Sequence, residues 1–152
     1  MVYNIRGSAF VLTSGIESNN VFIDNIVILV NSSKTLTNID LSPSAFYISN
    51  PSNVFLRNIA ISSDFAGFNF DFQATSKLDP YICPMGIPLM KFDSNIAHSN
   101  QFFGLFIYQY MPRTFPCNSI MNLMNDDPFI NNPGLKATNS KFSAYQNRDA
   151  SI

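Results

Sequence analysis

The chain has 152 residues, a net charge of −1, and only 12% charged residues against 46% hydrophobic ones. That is enough for one domain and one core, with about half the usual share of charge. It lacks the Lys/Arg stripe that would follow a phosphate backbone, which excludes a nucleic-acid partner, and it has no apolar run near the ~18–20 residues of a membrane-spanning helix.

Taken in order, Val2 to Arg6 and Ala9 to Leu12 read as short strands split by Gly7. Thr13-Ser14-Gly15 reads as a turn. Val21 to Ile23 and Ile26 to Val30 are strands around Asp24-Asn25, and the polar stretch 31–43 is a loop. Ala45 to Ile48, Val54 to Leu56 and Ile59 to Ile61 follow. Phe68 to Phe72 alternates apolar and polar residues, the mark of a half-buried strand. Residues 73–87 form an excursion with Pro80, Cys83, Pro84 and Gly86. Leu89 to Phe92, Asn95 to Ala97 and Leu105 to Tyr110 restore the strands, 111–136 is a loop, and Phe142 to Tyr145 opens a last strand. No segment shows a capped 3.6-residue period.

Phe92-Asp93-Ser94-Asn95-Ile96-Ala97-His98 repeats Phe55-Leu56-Arg57-Asn58-Ile59-Ala60-Ile61 and Phe22-Ile23-Asp24-Asn25-Ile26-Val27-Ile28. Asn4, Asn118 and Asn139 extend the series, giving Asn steps of 21, 33, 37, 23 and 21 residues. Gly67-Phe68 and Gly104-Leu105 keep the same 37-residue offset. A recurring motif at this period is the signature of a solenoid whose coils stack. In a parallel β-solenoid, equivalent residues lie ~4.8 Å apart, so Phe stacks on Phe and a corner Asn bonds to its own kind above and below. Asn also tolerates the left-handed conformation that a corner demands. A chain that begins and ends mid-turn reads as one segment, 1–152, of a longer solenoid, with neighbouring coils as its first partners.

The chemistry available is sparse. Glu17 is the sole Glu and His98 the sole His. Polysaccharide cleavage needs a positioned acid and base, two carboxylates ~5–9.5 Å apart. Asp24, Asp93, Glu17 and His98 are the candidates. Against this, Asp24 and Arg57 share a column and are placed to form an ion pair, while His98 occupies the column of Ile28 and Ile61 and suits a packed role. Tyr108 and Tyr110 with Arg113 offer aromatic faces and a cation for an acidic glycan; equally, the tyrosines can pack under the 111–134 segment. Cys83 and Cys117, 34 residues apart, are spaced either for a disulfide between coils or as two buried thiols. Asn31-Ser32-Ser33 is the one N-glycosylation sequon. No metal site of His and Cys is expected, no cofactor is read, and Asp126-Asp127 is either a calcium-type cation contact or a solvated turn.

Several stretches together resemble one family: Val2 to Phe10, Gly15-Ile16-Glu17 with Asn20 to Asn25, Phe46 to Asn53, Gly67-Phe68, Ile87 to Phe92 with Asn95 to Asn100, and Ala144 to Asp149. They are similar to the right-handed parallel β-helix of the cell-migration-inducing, hyaluronan-binding protein family, whose relatives include a transmembrane hyaluronidase and the fibrocystin (polyductin)-like receptors. The resemblance implies an all-β, right-handed parallel β-helix from an extracellular or cell-surface protein. It departs at Ser8, where the family often has His, and at Thr13-Ser14, where an acidic pair is common; both changes remove ionisable groups. The expected function is a structural and glycan-binding module for a hyaluronan-like polysaccharide. Part of a polysaccharide depolymerase, or the spacer of a receptor ectodomain, are the alternatives.

Overall fold

A computed structural model describes residues 1–35, 38–40, 42–108 and 142–145. Three parallel sheets run along one axis, and each coil visits them in turn. The first coil holds β1 (Val2–Arg6), β2 (Phe10–Leu12) and β3 (Val21–Ile23). The second holds β4 (Ile26–Asn31), β7 (Ser44–Ile48) and β8 (Val54–Leu56), and between its first two strands lies the insertion of β5 (Ser33–Thr35) and β6 (Asn38–Asp40). The third holds β9 (Ile59–Ser63), β10 (Ala66–Asp71) and β11 (Lys91–Asp93); β12 (Asn95–His98) and β13 (Phe103–Tyr108) follow, and β14 (Phe142–Tyr145) adds a further rung.

Sheet A therefore runs β1-β4-β9-β12-β14, sheet B runs β13-β10-β7-β2, and sheet C runs β11-β8-β3, all with parallel neighbours. This is an all-β parallel β-helix. The repeat sets its register: Phe22, Phe55 and Phe92 align in sheet C, Val27, Ala60 and Ala97 in sheet A, and Phe68 pairs with Leu105 across the 37-residue offset.

Side chains pointing inward make the core. Phe46, Phe55, Phe68, Phe70 and Phe72 are almost completely buried, as are Val27, Val30 and Ile48. Phe22 stacks on Phe55 at 4.8 Å and Phe46 on Phe68 at 4.7 Å, both nearly parallel. Phe92 departs from the expected stack, lying tilted 6.4 Å from Phe55. Its ring presents an edge-to-face contact to Phe68 at 5.1 Å and Phe70 at 5.4 Å instead, an arrangement the ring quadrupole favours. Where sheets A and B meet, Gly67 is closely enclosed, since a Cβ there would lie 2.7 Å from Ala97 Cβ and 2.8 Å from Gly104 O.

Several boundaries differ from the expectation. The stretch 31–43 contains the antiparallel β5–β6 hairpin, and the strand expected at Leu89 begins at Lys91, where pairing with Val54 starts, the Met90 N–H being donated to the Pro51 carbonyl in the turn before β8. Within 73–87, Pro84–Gly86 forms a single 3₁₀ turn. The whole of the expected 111–136 loop, with Asn118 in it, lies outside the described residues.

Candidate functional site

The corner between sheets C and A is built identically three times. Asp24, Arg57 and Ser94 adopt positive φ (56°, 53° and 55°), turning the chain, and the Asn that follows points inward. Asn58 and Asn95 are buried to within 1% of full enclosure. The left-handed residue is thus the one before the Asn, which corrects the expectation that the Asn itself takes that conformation. The side chain is needed for bonding. Asn58 Oδ1 accepts the backbone N–H of Asn25 at 3.1 Å and its Nδ2 at 3.0 Å. Asn95 Oδ1 accepts the same pair from Asn58 at 2.9 and 3.0 Å. The Nδ2 of Asn58 and of Asn95 donates to Phe22 O and Phe55 O, one coil back. A carboxamide supplies both acceptor and donor, so one residue type closes the whole network.

Asn4 belongs to another column. The pairing of Ile5 with Val30 sets it beside Leu29, and Asn4, Leu29, Ser62 and Ser99 form a second line of positive φ, from 52° to 63°. In β14 it is Phe142 that pairs with Asn95; Asn139, expected to continue the series, lies outside the described residues.

A second ladder went unread in the sequence. Asn53 Oδ1 accepts Asn20 N–H at 2.9 Å and Asn20 Nδ2 at 3.0 Å, and Asn53 Nδ2 donates to Glu17 O and Asn50 O. The signal was the six-residue repeat Asn20-Val21-Phe22-Ile23-Asp24-Asn25 and Asn53-Val54-Phe55-Leu56-Arg57-Asn58. Met90 stands at the corresponding place one coil on, so this ladder ends there.

The ionisable candidates are dispersed. Glu17 accepts backbone N–H bonds from Thr13, Ser14 and Gly15 at 3.1, 2.9 and 2.9 Å. Partial burial would push its carboxyl up, but the bonds from the Ser14 hydroxyl and from backbone N–H groups outweigh this and hold it down at about 2. Gly15 completes that turn with φ +82°, and a Cβ would meet Pro84 at 3.1 Å. Asp24 accepts two bonds from the Arg57 guanidinium, both at 2.7 Å; they hold its carboxyl below the ordinary range and raise the Arg57 pKa. Asp93 aligns with Leu56 and Ile23, so it lies two coils, about 10 Å, along the axis from Asp24. His98 pairs with Ile61 and Tyr145 in sheet A. Its ring stacks on Tyr145 at 4.9 Å, and Nδ1 lies 3.1 Å from Ser99 Oγ. These four residues are not brought together.

Sheet B presents a different outward set. Tyr47, Asn69 and Phe106 share one column. The Tyr47 hydroxyl donates to Asp71 Oδ2, and Gln73 Nε2 donates to Asp71 Oδ1 at 2.9 Å. Asn69 is buried with its Oδ1 unpaired. The Tyr108 backbone pairs with Asp71; Tyr110 and Arg113 lie outside the described residues.

Cys83 is held in a disulfide, while Cys117 lies outside the described residues. Asn31, the sequon residue, ends β4 with Nδ2 directed at Asn4 Oδ1 and Ile5 O, 3.3 and 3.4 Å away. Among the described residues, no three His, Cys, Asp or Glu side chains group to hold a metal ion, and no helix is long and apolar enough to cross a membrane. The expected cation contact at Asp126-Asp127 lies outside the described residues.

Fold and corners together define a parallel β-helix module with asparagine ladders. The chain belongs to the family described as CEMIP beta-helix, whose model matches residues 1–105. It is 36% identical to mouse (Mus musculus) Fibrocystin-L and 33% identical to the human (Homo sapiens) protein, over 124 residues in each case. Those matches cover 78% of this chain and 3% of each relative. Dog (Canis lupus familiaris) Fibrocystin is 34% identical over 98 residues, covering 63% of this chain and 2% of that protein. The chain therefore spans only a few per cent of the length of the curated relatives it matches. No solved structure matches it.

Proposed function

We propose that this chain is an extracellular or cell-surface β-helix module that provides rigid length and binds a glycan of the hyaluronan type. The observation that supports glycan binding most is the outward array on sheet B, where the Tyr47 ring stands beside an Asp71 carboxylate that accepts from Tyr47 and Gln73. Aromatic faces with a few placed polar groups are what a protein needs to orient a hydroxyl-rich ligand. The disulfide at Cys83 supports an oxidising compartment.

The depolymerase reading draws less support. Glu17 is committed to its turn and Asp24 to Arg57, and His98 stands apart from both. The test is calorimetric titration of hyaluronan oligosaccharides into the chain and into Tyr47→Ala and Asp71→Ala variants. Saturable binding weakened by both substitutions is expected. No heat from the folded wild-type chain would remove the glycan-binding part and leave the spacer reading. Separately, hyaluronan incubated with the complete protein keeps its length; shortening that disappears in a His98→Ala variant would reinstate catalysis.

A further inference from the structure

The outward face of sheet A is apolar where the outside of a β-helix needs polar residues. Register places Ile26, Ile59 and Ile96 in one outward column, which ends on Ser143 of the edge strand β14. Tyr3, Ile28, Ile61, His98 and Tyr145 form the other. Neither column carries an acidic residue, Lys or Arg. The strands Ile26-Val27-Ile28-Leu29-Val30 and Ile59-Ala60-Ile61 read as near-continuous hydrophobic runs, the pattern of parallel strands covered on both faces. Val27, Ala60 and Ala97 already fill the inner side. The isoleucines are what a second layer would cover, and Tyr3 and Tyr145 at the two ends are 62% and 48% exposed.

The rims of this face decide the occupant. β9 is flanked by Arg57 on one side and Asp64 on the other, so one strand carries a base and an acid at its two ends. We propose that this face docks a second copy of the same chain, sheet A against sheet A, about a two-fold axis parallel to the long axis of the solenoid. In that arrangement β9 lies over its counterpart in the opposite sense. Arg57 then meets Asp64 of the second copy, and the contact is made twice by symmetry. The Asp24 pair uses two N–H groups of Arg57, leaving three of its five for this contact.

The five strands of sheet A span about 24 Å by about 26 Å with both rims, roughly 600 Å². That is below the ~800 Å² per partner of a typical stable complex. The expected dimer is therefore weak and concentration-dependent.

Sedimentation velocity over a micromolar-to-millimolar series tests it, with circular dichroism confirming that each variant keeps its β signal and thermal transition. The wild-type chain should pass from monomer to dimer. Outward Ile61→Lys should weaken association by at least about tenfold, and Arg57→Asp should do the same through repulsion. Arg57→Asp combined with Asp64→Arg should restore it. A wild-type chain that stays monomeric throughout overturns the proposal. So does a dimer indifferent to Ile61→Lys, or a folded double variant that fails to reassociate.

Discussion

Asn58 has more bonds to lose than either of its ladder neighbours. Replacing it with Ala takes the side-chain partner from the Phe22 carbonyl and the Asn25 N–H and removes one of the two bonds that Asn95 Oδ1 accepts, around a side chain with no solvent access. Each buried group left unpaired costs about 1–3 kcal/mol, so Asn58→Ala should destabilise by about 2–4 kcal/mol in urea unfolding. Asn25→Ala should cost clearly less, because Asn25 is half-buried and lies in the corner just after β3, the edge strand of sheet C. At Leu29 the direction reverses. A branched side chain there holds φ 63°, a conformation Asn adopts more cheaply, and Asn4 already fills the same column one coil earlier. Leu29→Asn should raise the melting temperature by a few degrees, equivalent to about 0.5–1 kcal/mol. Glu17 contributes through pH. Its folded carboxyl titrates at about 2 against an ordinary 4.5. The folded state therefore favours the ionised form, and that contribution is complete above the ordinary value. It is lost as pH falls toward the folded value. Glu17→Gln should flatten the fall in stability over that acidic window while leaving its shape at neutral pH unchanged.

The elements were legible in proportion to how strictly stacking constrains them. Phe22, Phe55 and Phe92 align in sheet register because each supplies a ring to the shared core, and Gly67 is confined because a Cβ there would meet Ala97 Cβ and the Gly104 carbonyl oxygen. Substituting Gly67→Ala should cost about 1–3 kcal/mol or more through overpacking, measured by the same urea titration. What a residue does once inside a column was less legible. Positive φ at Arg57 and Ser94 could not be read from residue type, since neither favours it; the buried Asn behind them enforces the turn. Asn4 misled because an Asn with positive φ also occurs inside β1, in a column without the ladder. Asn20 and Asn53 were visible as a repeat, but their bonding depends on a corner geometry that spacing alone does not convey. In the polar array of Tyr47, Asp71 and Gln73, the Gln73 bond is local, but Tyr47 and Asp71 stand 24 positions apart and meet only through the coil register.

At the scale of the molecule, three sheets share one core, and their coherence along the axis comes from backbone ladders reinforced at the corners. Such a body transmits load along its length and leaves its outer faces free to differ: apolar on sheet A, aromatic and polar on sheet B. Membership of the CEMIP beta-helix family accords with that architecture. The asparagine ladder is the device on which that scaffold depends. Native-state hydrogen exchange reads it directly, because the backbone N–H groups of Asn25 and Asn58 donate to side chains one coil away. Both should exchange as slowly as core strand amides, and Asn95→Ala should release Asn58 selectively while Asn25 stays protected. If Asn25 and Asn58 exchange like open turn residues in the intact chain, or if Asn95→Ala leaves Asn58 unchanged, the ladder does not hold the coils together.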